Sequence, residues 1–246
     1  MLLARRTFTL EEVPSQSQLL VTASSQYQLY INGQYICRGP ARSAPHHQSF
    51  DILDINSHLQ KGDNCIAIRV HHQKNKHSYH FKGRAGLLAQ IELNFGADKF
   101  IIPSDDNWKV NADPSWNNNA PVISRFQMVV NDRVDLQKQV EGWNTLEFDD
   151  RSWTNATPLM RNVGWPSPQK NASPQALTPP WTTLVARDVP YLPEQKQRAV
   201  KLVEARIMDA ELLHQPIPIT AEIDKNIIPE IERYQKNDTP LIIPVC

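Results

Sequence analysis

The sequence predicts an all-β protein built as an antiparallel jelly-roll β-sandwich, and three observations carry that expectation. Apolar and polar residues alternate with period two through the first hundred residues. Turn chemistry recurs about every 8–12 residues. No amphipathic helix separates the strands, so consecutive strands are expected to turn back on one another.

In the stretch "YQLYINGQYICRGP", Tyr27 to Pro40, Asn32-Gly33 suits a two-residue type I′ turn, because both central residues need positive φ. Tyr27, Leu29 and Ile31 then share a face, as scaffold. "QLLVTAS" is another strand. "NCIAIRVHH" puts Ile66, Ile68 and Val70 inward and Cys65, Ala67, Arg69 and His71 outward. "RAGLLAQIELNF" puts Leu87, Ala89, Ile91, Leu93 and Phe95 on one face, against a mostly polar opposite face. About eight strands are expected before residue 160, enough for a jelly roll.

Past Met160 the texture changes. "WPSPQKNASPQALTPPW" holds five prolines and no sustained period, which reads as an extended connection. The expected organisation is a sandwich over 1–160, an extended linker over 161–193 and the start of a further β-domain over 194–246. "EQKQRAVKLVEARIMDAELLH" mixes helical and alternating patterns, and "NIIPEIERYQKND" has room for a short helix near Pro229. The closing "TPLIIPVC" is an apolar run with no partner following it, and is expected to be a cut end.

Composition excludes several classes. The chain has 246 residues, 26 Lys plus Arg and 26 Asp plus Glu, so no net field favours nucleic acid or an acidic membrane. No apolar run reaches the roughly 18 residues of a membrane span. The start "MLLARRTFTL" lacks the apolar region of a secretory signal, and the compartment stays open between cytoplasm and periplasm or exterior. Cys37, Cys65 and Cys246 are odd in number and far apart, so they make neither a disulfide framework nor a metal knuckle. Asn155, Asn171 and Asn237 fall in N-x-S/T sequons of little weight.

Candidate chemistry is sparse. His46-His47, His71-His72, His77 and His80 match no common metal template, and adjacent histidines on a strand face opposite ways. Polar histidines at strand ends are the preferred reading. Asp149-Asp150 in "FDDRSW" and Asp105-Asp106 in "SDDNWKV" are the carboxylate pairs a sugar hydrolase would need. At turns before a tryptophan they are expected to cap backbone N–H groups instead. No nucleophile elbow, phosphate loop, dinucleotide fingerprint or zinc motif appears. Trp116 and Trp165 fall in loops, where a ring either stacks on a sugar face or docks on the domain's own surface. The loop from Arg38 through His47 is placed to meet a ligand or a neighbouring domain. Trp116, Trp165, Arg38, His46 and His47 are therefore the candidate carbohydrate-binding residues. No catalytic or metal-ligating residue is assigned.

Taken together, "RRTFTL", "LYINGQYICRGPARSAP", "FDILDI…LQKGDN", "GRAGLLAQIEL", "DDNWKV", "FDDRSW" and "WTTLVARDVPYLPE" form an ordered series. The series resembles the N-terminal, galactose-binding-like β-sandwich of bacterial α-L-rhamnosidases, over about residues 5 to 194. "FDDxxW" alone also occurs in β-galactosidase-like enzymes, whose sandwich is one alternative reading; a self-standing carbohydrate-binding module is another. The resemblance implies a non-catalytic accessory domain of a modular hydrolase, with rhamnosides as the carbohydrate and an acidic pair in a separate (α/α)₆ barrel performing inverting hydrolysis. No part of the chain matches that barrel. No cofactor is implied, although some relatives brace the sandwich with calcium; no motif here supports one. "FQMVVNDRVDL" departs from the pattern, which leads one to expect a glutamate at Gln127 or Met128. The resemblance also makes Trp108 and Trp153 core residues that close turns against the sheet.

Overall fold

A computed structural model describes residues 1–73, 84–117, 132–159, 180–181, 183–191 and 193–195. Expectations for 161–179 and 196–246, for His77, His80 and Trp165, and for the departure at Gln127 and Met128 lie outside the described residues. Residues Met1–Pro190 form one compact unit, and a second unit begins at Tyr191.

The first unit is a β-sandwich. Its strands in chain order are β1 Leu2–Leu10, β2 Gln16–Ser24, β3 Gln26–Ile31, β4 Gln34–Gly39, β5 Gln48–Asp54, β6 Gly62–His71, β7 Gly86–Phe95, β8 Asp98–Pro103, β9 Lys109–Ala112, β10 Thr154–Asn155 and β11 Leu184–Ala186. One sheet has the order β10-β9-β1-β6-β3-β4 and the other β11-β5-β2-β7-β8. Neighbours pair antiparallel except β11, which runs parallel to β5. Among the described residues, ten strands precede residue 160 where about eight were expected, because the short β9 and β10 extend one edge beyond the strands that periodicity reveals.

The hairpin forms as its sequence demands. Asn32 and Gly33 both have positive φ, 49° and 82°, and Ile31 pairs with Gln34 across the turn. Asn32 does more than turn the chain. Its amide donates to the His58 carbonyl at 3.0 Å and to Asn64 Oδ1 at 3.0 Å, while its Oδ1 accepts the Cys65 N–H at 2.7 Å. The turn is thereby stitched to the start of β6.

The core between the sheets follows the predicted alternation. Tyr27, Leu29 and Ile31 of β3 are buried with Ile66, Ile68 and Val70 of β6, Leu19, Val21 and Ala23 of β2, and Ala89, Ile91 and Leu93 of β7. Trp108 joins them at 1% exposure and donates its indole N–H to the Pro103 carbonyl at 2.9 Å.

The other face of the six-stranded sheet differs from expectation. Cys65 and Ala67 do point away from the sandwich core, yet both are fully buried. Trp143 and Trp153 lie over them together with Leu3, and Tyr30, Val140, Leu146 and Phe148 pack at the margin. A strand read as half-exposed is covered on both faces because residues 140–153 return across it as a third layer. Arg5 anchors that layer at 1% exposure: it pairs with Asp150, donates to the Thr145 carbonyl at 2.6 Å, and lies 5.4 Å from the Phe148 ring centroid.

Candidate functional site at the loop end of the sandwich

Strand register defines two ends. At one end lie the Asn32-Gly33 turn, the β1–β2 and β7–β8 turns and the start of β6. At the other lie the end of β2, the start of β3, the β4–β5 connection, the end of β6 and the start of β7. Gln26 is opposite His71, Tyr27 opposite Gly39, and Ser24 opposite Gly86. Leu2 pairs with Val70 and with Ala112, so the segment after β9 emerges there too.

This second end receives every predicted binding residue that the structure describes. Arg38 is exposed on β4, in a cross-strand row with Gln28 and Arg69. His46 and His47 are exposed in a turn closed by the His47 N–H donating to the Ala44 carbonyl at 2.8 Å. Trp116 is half-buried and follows an Asx turn in which Asp113 Oδ1 accepts from the Ser115 N–H at 3.1 Å and the Ser115 hydroxyl at 2.6 Å. Its ring lies 6.0 Å from that of His71, tilted by 38°. One side of the indole is thus occupied by the protein itself.

The buried Asp113 and the partly buried Arg69 stand beside this pair. Arg69 Nε is 3.5 Å from Asp113 Oδ2, beyond hydrogen-bonding range, and its guanidinium lies 5.7 Å from the Trp143 centroid. Burial, the largest cause, pushes the His71 pKa down, while the Asp132 carboxylate opposes the shift. Among the described residues, no group of three histidine, cysteine, aspartate or glutamate side chains comes together as a metal site would require.

The carboxylate pairs are engaged in structure. Asp149 Oδ1 accepts the Arg151 N–H at 3.1 Å, and Arg151 hydrogen-bonds its carboxyl and holds its pKa down at about 2. Asp150 pairs with Arg5. Asp105 Oδ1 accepts the Asn107 N–H at 3.0 Å, so both "DD-W" corners are the Asx turns that their residues predict.

Sequence reasoning passed over one cluster. Asp51, fully buried, accepts a hydrogen bond from the Tyr27 hydroxyl and another from Arg187 Nε at 2.5 Å. Arg187 also donates its N–H to the Phe50 carbonyl at 2.8 Å. Gly39 lies against the pair, since a Cβ there would come within 2.7 Å of the Tyr27 hydroxyl oxygen and would also collide with Asp51. The signal was present as the unexplained Asp51 of "SFD", Gly39 of "RGP" and Arg187 of "ARD".

A two-sheet sandwich with described connections gathered at one end, and with Arg187 of a distant segment latched onto the buried Asp51, is a β-domain that presents loops. Its family follows from comparison. The family model for the α-L-rhamnosidase N-terminal domain matches residues 12–178, and the chain belongs to that family. It is similar to the GH78 rhamnosidase of Bacillus sp. GL1, with 30% identity and a TM-score of 0.64 over 77% of this chain and 18% of that one. The α-L-rhamnosidase of Dictyoglomus thermophilum gives 21% identity and a TM-score of 0.53 over 63% of this chain and 17% of that one. The α-L-rhamnosidase of Streptomyces avermitilis is 24% identical over 153 residues, 56% of this chain and 14% of its own length. The chain therefore spans less than a fifth of each of these relatives.

Proposed function

We propose that this chain is the accessory sandwich of an α-L-rhamnosidase, holding a separate catalytic barrel in place and contacting carbohydrate through its loop end. The observation that supports this reading most directly is the family match across residues 12–178, in a chain that spans only 18% of the Bacillus rhamnosidase. The rigid parts support it too. The Asp51–Arg187 latch and the Arg5-anchored third layer fix the loops on a frame, as a positioning domain requires. Trp116, Arg38, His46 and His47 are the residues proposed to meet sugar.

The gene sequence beyond Cys246 supplies the test. A helical-barrel coding region would place the sandwich in a rhamnosidase, and a (β/α)₈ barrel would assign it to a β-galactosidase-like parent. With the barrel joined, deleting residues 1–190 is expected to lower both the melting temperature and kcat/KM on an aryl α-L-rhamnoside. The chain alone is expected to release no rhamnose; turnover by the chain itself that depended on its own carboxylates would overturn the reading. Calorimetry with L-rhamnose on the Trp116→Ala chain tests the contact separately.

A further inference from the structure

Asn32-Gly33 is the only Asn-Gly pair in the sequence, and that dipeptide carries a reaction of its own. The backbone nitrogen that follows an asparagine can attack the side-chain amide carbon. Glycine, with no Cβ, leaves that nitrogen the least obstructed. A bond forms between the Gly33 nitrogen and Asn32 Cγ, the bond from Cγ to its own nitrogen breaks, and the Gly33 amide proton leaves with the ammonia. The succinimide so formed takes up one water and opens to aspartate or isoaspartate. Water is the sole co-reactant, and nothing is oxidised or reduced.

Both reacting groups are engaged in the folded chain. The Gly33 N–H donates to the Asn144 carbonyl at 2.9 Å, and Asn144 Nδ2 donates back to the Gly33 carbonyl at 3.2 Å. Thr145 stands over the same glycine, since a Cβ on Gly33 would lie 3.2 Å from its Cγ2. The nucleophile is therefore capped by the third layer, residues 140–153. The electrophile is fixed by the sandwich, because the Asn32 amide is bonded to the His58 carbonyl, Asn64 Oδ1 and the Cys65 N–H. Attack requires the Gly33 nitrogen to leave Asn144 and the Asn32 amide to swing out of this seat.

The product does not fit the seat it leaves. A carboxylate has no N–H to give, so an aspartate at position 32 sets its oxygens against the His58 carbonyl and Asn64 Oδ1, both acceptors. Asn64 is not free to turn its amide over. It is fully buried, its Nδ2 donates to the Gln60 and Gly62 carbonyls at 2.7 and 3.0 Å, and its Oδ1 already accepts the Gln60 N–H at 3.0 Å. Isoaspartate instead adds a backbone carbon to a turn whose two residues hold φ of 49° and 82°.

We propose that Asn32-Gly33 is a deamidation site gated by the third layer: it reacts when residues 140–153 lift from the hairpin, and its conversion breaks the stitch between the turn and β6. The reaction runs one way, so the modified fraction records how often the layer has opened.

The test is peptide mapping by mass spectrometry of the full 246-residue chain at mildly alkaline pH, following aspartate and isoaspartate at position 32 over time. Conversion in the folded chain is expected to run at least about a hundredfold slower than in the same chain unfolded in urea, because only the opened fraction reacts. Trp153→Ala removes an anchor of the third layer, and Trp108→Ala one of the core between the sheets. With urea added to the more stable variant until their global stabilities match, Trp153→Ala is expected to react at least about tenfold faster. Leu146→Ala, a smaller change at the margin of the same layer, serves where Trp153→Ala does not fold. Asn32→Asp is expected to unfold at a clearly lower denaturant midpoint than the parent chain.

A folded chain that converts as fast as the unfolded one overturns the proposal. Equal conversion in the two tryptophan variants removes the third layer as the gate. An Asn32→Asp chain as stable as its parent shows that the product fits the seat, and overturns the broken stitch.

Discussion

Gly39 sits where the hairpin's second arm passes the buried Tyr27–Asp51 contact, and it has no space for a side chain. Gly39→Ala is expected to cost about 1–3 kcal/mol by overpacking, read as a lower denaturant midpoint with an unchanged slope. His71 gives a pH dependence. Because burial lowers its folded-state pKa, the unfolded chain takes up the proton first as pH falls below about 6.5. Stability from this residue is intact above that value, declines below it, and levels off once pH has passed the depressed folded value. Melting temperatures between pH 7.5 and 5 should show this decline, and His71→Asn should reduce the slope. A slope unaltered by the substitution would assign the dependence to other groups.

At the scale of elements, the described residues form two apolar clusters that separate substitutions can address. Trp108→Ala opens the core between the sheets, and Trp153→Ala opens the layer outside the six-stranded sheet; each is expected to cost about 3–5 kcal/mol. Their local signatures differ. The Cys65 thiol lies under Trp143 and Trp153, and burial pushes its pKa up. Alkylation of Cys65 should accelerate in Trp153→Ala well beyond its rate in Trp108→Ala at equal global stability; equal rates would mean that the third layer does not shield the thiol. Alternation made the inner cluster legible in the sequence, because Ile66, Ile68 and Val70 repeat with period two. It could not reveal the outer one. Cys65 and Ala67 are small and neutral, and what covers them comes from about eighty residues downstream, through contacts that have no local period. The corners "SDDNW" and "FDDRSW" were readable because an Asx turn is encoded within a few residues.

For the whole molecule, the segments that made the sequence resemble a family are the ones the fold brings together. "RGP" and "ARD" meet at Asp51, and "RRTF" meets "FDDRSW" through Arg5 and Asp150. The loop end was legible as a place, because register follows from the strands. Which residues converge there was not, since Trp116 finds His71 only in three dimensions. A chain ending at residue 183 lacks β11 and Arg187 and leaves Asp51 buried without its cation. It is expected to lose about 3–5 kcal/mol in equilibrium unfolding relative to the same chain ending at residue 195, and equal stability would remove the latch from the account. The latch also sets an order of events during synthesis. Asp51 and Arg187 are 136 residues apart, so at ribosomal speed the carboxylate emerges on the order of ten seconds before its partner. Until then the five-stranded sheet has a charge and an open edge where its last strand belongs. The sandwich is therefore a domain whose closing piece arrives last, and whatever keeps the nascent chain soluble must do so across that interval.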